Sequence, residues 1–213
     1  MPKKLLIKVC GMRAQENINQ LLELPIDYMG HIFYAKSARF APGLTNMAMK
    51  PACKRTGVFV NAGLEEILSI TETLDLDAVQ LHGDESPALA HQLQKEGFEV
   101  IKAFGIDENF DWKRLQDYMN STDLFLFDSK SPAYGGTGQT FDWQKLKEYP
   151  FEKPYFLSGG LSLDNLAEAL KFDDPRLVGL DLNSKFEIEP GLKDIEKLKL
   201  ALKIIRDEQI SSK

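Results

Sequence analysis

The sequence predicts an α/β fold, one (β/α)₈ barrel spanning residues 1–213, on three observations. Short apolar runs alternate with stretches of helical period along the whole chain, and alternating β and α units imply a parallel sheet. Eight such units in about 210 residues suit a closed barrel better than an open doubly wound sheet. The first run is followed by Cys10-Gly11-Met12-Arg13, with no G-x-G-x-x-G fingerprint, so a dinucleotide-binding sheet is excluded. No linker, composition shift or low-complexity tract divides the chain.

In order, Leu5 to Cys10 reads as the first strand, closed by Gly11, and Gln15 to Leu24 follows with apolar positions Ile18, Leu21 and Leu22 at helical spacing. Asp27 to Tyr34 is the second strand, with a loop carrying Lys36, Ser37, Arg39 and Phe40, then a weak helix over Asn46 to Lys54. Thr56 to Val60 is the third strand, followed by a helix over Leu64 to Leu74. Asp77 to Leu81 is the fourth, with Ser86-Pro87 as cap and first turn of the next helix. Glu99 to Phe104 precedes a short helix, Phe110 to Met119, and Asp123 to Phe127 is the sixth strand. Beyond a glycine-rich loop lies the short helix Trp143 to Glu148. Pro154 to Leu157 and the helix Asp164 to Leu170 form the seventh unit. Leu177 to Leu182 is the eighth strand, and a final helix runs from about Lys193 to Arg206.

Composition narrows the function. A chain of 213 residues, 43% hydrophobic and 27% charged, has the make-up of a soluble globular domain. It would bury roughly 70 to 75% of its unfolded surface. A net charge of −6 argues against nucleic acid as a partner, so an anionic ligand needs a local site. No apolar run approaches the roughly 18 to 20 residues that span a bilayer, and Met1-Pro2-Lys3-Lys4 leads into a strand without a cleavage signal, so no membrane and a cytoplasmic location are expected. Only Cys10 and Cys53 are present, too few for a disulfide framework and too isolated for a zinc site, and no metal is expected.

Barrel enzymes work at the C-terminal ends of their strands. There the sequence sets Cys10, the Arg39 loop, Asn61, His82, Asp128, Ser158-Gly159-Gly160 and the run from Asp181 to Ser184, contributed by different strands. Around Asp128 an apolar run ends in a carboxylate and opens into Gly135, Gly136, Thr137 and Gly138, whose glycines expose backbone N–H groups and permit motion. Lys8 shares a face of the first strand with Cys10 by the period of two and is expected inside the barrel, favouring the thiolate. Cys53 precedes its strand and belongs to the opposite end. His31 and His91 read as structural, and Gln80 and Lys102 as inward-facing groups that pair with neighbours.

Six motifs, taken in order, carry a resemblance over nearly the whole chain: Lys8-Val9-Cys10-Gly11-Met12, Gly57-Val58-Phe59-Val60-Asn61, Gln80-Leu81-His82-Gly83-Asp84-Glu85, Gly135-Gly136-Thr137-Gly138 with Phe141-Asp142-Trp143, Ser158-Gly159-Gly160-Leu161, and Glu189-Pro190-Gly191-Leu192-Lys193-Asp194. The sequence resembles the phosphoribosylanthranilate isomerases, TIM barrels of tryptophan biosynthesis that catalyse a cofactor-free Amadori rearrangement. The resemblance implies Cys10 as general base and Asp128 as general acid, with Arg39 on the anthranilate carboxylate. An acid must stay protonated near neutrality, so Asp128 should be shielded and its pKa raised, and the base needs thiolate character. His82 either touches substrate or hydrogen-bonds the barrel rim, and Asp181 joins the substrate-binding candidates. The phosphate is expected on Gly159, Gly160, Asn183 and Ser184, in the loops after strands seven and eight. The Gly135, Gly136 and Gly138 loop is then better read as a cover over substrate than as the phosphate cradle.

The resemblance further implies no organic cofactor and a phosphorylated sugar as substrate. It implies a monomer or homodimer, with neighbouring tryptophan-pathway enzymes as candidate partners. Four positions depart from the family pattern: Lys185 and Phe186, in a Ser184-Lys185-Phe186-Glu187 run where Ser-Gly-Val-Glu is usual, His31 where an apolar residue is typical, and Ala38 where proline is. The rival readings are the histidine-pathway phosphoribosyl isomerase and a phosphate-binding barrel that catalyses nothing. The first uses a carboxylate where Cys10 stands and needs a second phosphate site. Intact acid and base positions argue against the second.

Overall fold

The computed structural model describes residues 4–45, 52–130 and 141–211. Eight parallel strands close into a barrel in sequence order: β1 (Leu6–Cys10), β2 (Tyr28–Ile32), β3 (Lys54–Phe59), β4 (Ala78–Leu81), β5 (Glu99–Ile106), β6 (Leu124–Ser129), β7 (Tyr155–Leu157) and β8 (Leu177–Leu182). Closure comes from β1, which pairs with β2 through Cys10 opposite Gly30 and with β8 through Lys8 opposite Asp181. The outer layer holds α1 (Gln15–Leu22), α2 (Leu64–Leu74), α3 (Pro87–Lys95), α4 (Leu166–Leu170) and α5 (Ile195–Ser211), with 3₁₀ segments at Trp112–Tyr118 and Trp143–Glu148. The eight expected strands are all present, and α2 and β8 have the bounds their periodicity predicts.

The differences have local causes. After β5 and β6 the helices are 3₁₀ segments: Asp111 and Asp142 cap them, each accepting from the backbone two residues on, and each segment buries one Trp and one Leu against the barrel. Lys54 opens β3 instead of ending a helix, Ala52 and Cys53 before it form a bend, and residues 46–51 of the expected Asn46 helix lie outside the described residues. Between β8 and α5 a hairpin absent from the sequence reading forms from β9 (Glu187–Glu189) and β10 (Leu192–Lys193), turning at Gly191 with φ +86°. It shortens the last helix at its start, so α5 begins at Ile195.

Inside the barrel, alternation sorts the side chains into layers. The lower layer is apolar, with Tyr28, Ile101, Leu124, Leu126 and Phe156 packed together. The upper layer, toward the C-terminal mouth, is polar: Lys8, Gln80, Asp128, Ser158 and Asp181, all buried. The opposite end is pinned by aspartates that lead into even-numbered strands and cap the one before. Asp27 accepts from Ile7 N (2.8 Å), Asp77 from Arg55 N (2.9 Å) and Asp123 from Val100 N (2.7 Å). These groups secure the amide of the second residue of β1, β3 and β5, so the carboxylates there serve stability. Asp77→Ala strands the amide of buried Arg55 and is expected to lower stability by about 1 to 2 kcal/mol, read as a shifted urea midpoint with an unchanged m-value.

Candidate active site

One cleft at the C-terminal mouth brings together nine of the residues singled out from sequence: Cys10, Arg39, His82, Asp128, Gly159, Gly160, Asp181, Asn183 and Ser184 all line it. Ile32, Val58 and Val60 supply an apolar wall. Asn61 does not join them; with φ 56° it folds into the rim, where its N–H reaches Glu85 Oε1 (2.8 Å) and its Oδ1 accepts from Asp84 N (2.7 Å). Gly135, Gly136 and Gly138 lie outside the described residues.

Cys10 ends β1 pointing into the barrel, and the space for its sulfur is left by Gly30, where a Cβ would stand 2.7 Å from Sγ. Lys8 lies inside as expected, fully buried, with Nζ 3.0 Å from Asp181 Oδ1. Its effect on the thiol is outweighed. Burial pushes the Cys10 pKa above the ordinary 9.0, opposed by the charges of Lys8 and Lys193 and assisted by that of Asp181. The expected thiolate character is therefore not a property of the resting site; the lysines limit the penalty without reversing it.

Asp128 sits within β6, one residue before its end, and is 7% exposed. Burial first, then the charge of Asp181, raises its pKa to about 6, against hydrogen bonding from Ser129. Its Oδ1 accepts from Ser129 N (2.8 Å), and its Oδ2 lies 3.6 Å from His82 Nε2. Gly159, with φ +85°, closes over it: a Cβ there would fall 2.5 Å from Ser129 N and 2.9 Å from Asp128 Oδ1. This glycine is needed beside the acid position as well as in the expected phosphate loop.

On the other side, Arg39 is already paired. Its Nε lies 3.0 Å from both oxygens of Glu187, and its Nη2 is 2.7 Å from Oε2. That engages the side edge of the guanidinium and leaves the Nη1/Nη2 end for a second carboxylate. Glu187 Oε1 also takes Lys193 Nζ (2.5 Å) and Gly191 N (3.1 Å), while Lys193 Nζ reaches Asn183 Oδ1 (2.7 Å). Asn17 in α1 clamps the Lys193 backbone through both its N–H (2.7 Å) and its C=O (3.0 Å).

Glu187 and Lys193 are the members that sequence reading missed. Both lie on the hairpin, whose short strands have no periodic signal; Lys193 stands in the last of the six motifs and Glu187 in the Ser184 to Glu187 run, but neither setting assigns a role. The neighbouring departure, Lys185, is exposed at the centre of the Ser184–Phe186 3₁₀ turn. It is not among the residues of positive φ, so a side chain is accommodated there without backbone strain.

The remaining titratable groups behave as their positions predict. His31 is buried, bonds Met12 O through Nδ1 (2.9 Å), and is held neutral by burial, with its pKa lowered to about 4. Cys53 lies beyond the other end of the barrel, pushed up to about 11 by burial. Lys102 donates to Gly83 O (2.8 Å), to the carbonyls of Leu81 (3.3 Å) and Ala103 (3.1 Å), and to Glu85 Oε2 (3.3 Å), pinning the loop after β4.

A closed (β/α)₈ barrel whose C-terminal mouth joins a buried thiol, a carboxyl of raised pKa and a half-engaged arginine defines a TIM-barrel protein with a site suited to acid–base chemistry. Within that class, residues 7–204 match the family described as N-(5'phosphoribosyl)anthranilate (PRA) isomerase, and the chain belongs to it. It is 45% identical over 202 residues to the N-(5'-phosphoribosyl)anthranilate isomerase of Parabacteroides distasonis, covering 92% of this chain and 90% of that protein. The crystal structure of phosphoribosyl anthranilate isomerase from Thermotoga maritima superposes with a TM-score of 0.80 at 32% identity, covering 95% of this chain and 99% of that one. A phosphoribosyl anthranilate isomerase in complex with reduced 1-(o-carboxyphenylamino)-1-deoxyribulose 5-phosphate gives 0.79 at 30% identity, with 95% and 99% covered.

Glu187 yields a pH prediction. Burial works to raise its carboxyl, but hydrogen bonds from Arg39 and the charge of Lys193 prevail and hold it below the ordinary carboxylate value. A depressed carboxylate contributes stability that is present above its unfolded pKa and lost as pH falls through the folded one. Glu187→Gln is expected to cost about 3 kcal/mol near neutrality and to flatten the acid loss of stability, as measured by urea unfolding from pH 7 down to pH 3.

Proposed function

We propose that the chain isomerises N-(5'-phosphoribosyl)anthranilate to 1-(2-carboxyphenylamino)-1-deoxyribulose 5-phosphate, with Asp128 as general acid and Cys10 as general base. The observation that carries the assignment of roles is the pair itself, a carboxyl held partly protonated near neutrality and a thiol, on strands β6 and β1 of one cleft. Asp128 gives its proton to the ribose ring oxygen as the bond from C1 to that oxygen breaks, leaving C1 doubly bonded to the anthranilate nitrogen. Cys10 takes the proton from C2, its electrons form the enolamine, and tautomerisation gives the ketose. No electrons leave the substrate, so proton transfers alone carry the chemistry: these two give the enolamine, and loss of the C2 hydroxyl proton with protonation of C1 gives the ketose.

The free end of Arg39 fits the anthranilate carboxylate, and Ile32, Val58 and Val60 offer the ring an apolar wall. The phosphate is assigned to the N–H groups of Gly159, Gly160, Asn183 and Ser184. Support comes from the positive φ of both glycines and from the leading amides of the Ser184–Phe186 turn, which lack intrahelical partners. Lys193, bonded to the Asn183 side chain, adds a buried cation close by. A biosynthetic enzyme of this kind belongs in the cytoplasm, and no helix among the described residues is long and apolar enough to cross a membrane.

The Asp128 shift runs toward the protonation state an acid needs but stops short of neutrality, and the Cys10 shift runs against the thiolate a base needs. Near neutrality the resting site holds mostly Asp128 carboxylate and Cys10 thiol, whereas reaction needs the carboxyl and the thiolate. The two forms carry the same number of protons, so the productive one is a minority isomer of constant fraction between the two pKa values. kcat/KM is therefore expected to be flat from about pH 6 to beyond pH 9 and to fall on both sides, with the low-pH limb set by Asp128. A profile that peaks sharply near neutrality would overturn the pairing.

A turnover assay with phosphoribosylanthranilate tests the roles directly. Cys10→Ala and Asp128→Asn are each expected to lose about 10² to 10⁴ in kcat; variants within threefold of wild type would remove them from the mechanism.

A further inference from the structure

His82 has so far no assigned task. It ends the β4 unit at the mouth of the barrel, its N–H bonded to Phe59 O (2.8 Å), with its ring between two polar neighbours. Gln80 Nε2 approaches its Nδ1 at 3.0 Å, and Asp128 Oδ2 stands 3.6 Å from its Nε2. Gln80 is buried, and among the described residues its remaining amide atom, Oε1, has no hydrogen-bond partner. Turning the amide over would leave Nε2 unmatched instead, so burial alone does not choose between the two orientations, and the one in place needs a reason.

The reason lies in the histidine tautomer. A donor from Gln80 makes Nδ1 the acceptor and places the ring proton on Nε2, facing Asp128. The other tautomer would present a lone pair to Asp128 and hold the acid's proton away from substrate. We infer that Gln80 fixes His82 as a neutral Nε2–H donor, which stabilises the carboxylate Asp128 becomes when it has given up its proton. His82 is thus a positioning residue acting through Asp128, and Gln80, structural on the sequence reading, sets its polarity. This inference rests on Asp128 being the acid.

Charge balance is simple. The proton leaves the Asp128 carboxyl for the ring oxygen, the negative charge stays on Asp128, and the Nε2–H shortens its contact with Oδ2 while keeping its own proton. A separation of 3.6 Å lies just outside hydrogen-bond range, and catalytic contacts of this kind tighten when substrate binds. The ring cannot take the proton itself: burial, then the charges of Lys102 and Lys8, lower its pKa to about 3. The groups that act on Asp128 are His82 from β4, Lys8 from β1, Asp181 from β8 and Ser129 beside it, and His82 supplies the donor on the Oδ2 side.

Two measurements on the whole chain test this. ¹⁵N NMR of histidine-labelled protein is expected to show, for the His82 ring, a pyridine-type Nδ1 and a pyrrole-type Nε2, and Gln80→Leu to introduce the opposite tautomer. Asp128 is then titrated by ¹³C-carboxyl NMR, identified by difference from Asp128→Asn. His82→Leu, which removes the donor and keeps the bulk, is expected to raise the midpoint by about one pH unit and to move the low-pH limb of kcat/KM upward with it. His82→Gln, which restores an N–H at the same reach, is expected to return both toward wild type.

A protonated Nδ1 in the resting enzyme, or an unmoved midpoint in His82→Leu, overturns the inference. A midpoint that moves while the low-pH limb of kcat/KM stays in place upholds the His82 contact and overturns Asp128 as the acid instead.

Discussion

A lysine and an aspartate paired inside the barrel organise the rest of the molecule. Lys8 and Asp181 face each other across the seam where β1 meets β8, Nζ to Oδ1 3.0 Å apart, with side chains 0% and 5% exposed. Neither charge is tolerable alone at that depth, and removing either would strand the other at a cost of several kcal/mol. The closing register of the sheet is thereby tied to the electrostatics of the site, because sliding β8 against β1 would also take Asp181 out of reach. The pair leaves Lys8 charged next to the Cys10 sulfur and Asp181 charged near Asp128. One interaction therefore opposes the burial of the thiol and reinforces that of the carboxyl.

These two influences explain why the acid and base positions differ in tuning. Asp181 helps lift Asp128 into the range where a carboxyl exchanges its proton near neutrality. Lys8 moderates the rise at Cys10 but loses to burial. A water-excluding site makes that trade: the packing that keeps the thiol from solvent also withholds the hydration that would ionise it. Gly30 and Gly159 belong to the same logic, since each is small so that a reactive side chain can stand against backbone. Only Gly159 requires positive φ; Gly30 lies in a regular strand and is glycine for volume alone.

Sequence reading recovered what repeats or stands at a strand end. Eight strands, the helix over Leu64 to Leu74 and the mouth residues follow from period and punctuation, because a barrel strand is an apolar run that stops where the chemistry begins. Beyond that, three kinds of feature escaped, the β9–β10 hairpin among them. The 3₁₀ segments after β5 and β6 share their capping aspartates and apolar spacing with α-helices, so composition cannot tell the two apart at this length. The thiolate expected at Cys10 failed for a different reason: the sequence shows that Lys8 is near, whereas how dry the surroundings are depends on every strand at once.

The β9–β10 hairpin shows how a site gains precision from an element with no periodic signal. Glu187 leaves the 3₁₀ turn, Lys193 returns two residues after Gly191, and the turn sets their side chains together over the barrel mouth. Glu187 then fixes one edge of Arg39, whose own loop after β2 has no helix or strand among its described residues to hold it. Lys193 reaches from the same carboxylate to Asn183. On the proposed roles, the two ends of an elongated ligand would be held by one network, because Arg39, offered to a carboxylate, and the Asn183–Ser184 turn, offered to a phosphate, share Glu187 and Lys193 as anchors. A change in the hairpin would disturb both ends at once, while Cys10 and Asp128, held by the barrel strands, would keep their separation. The division assigns recognition to the added loop and proton transfer to the closed sheet, which suits each to its tolerance for movement.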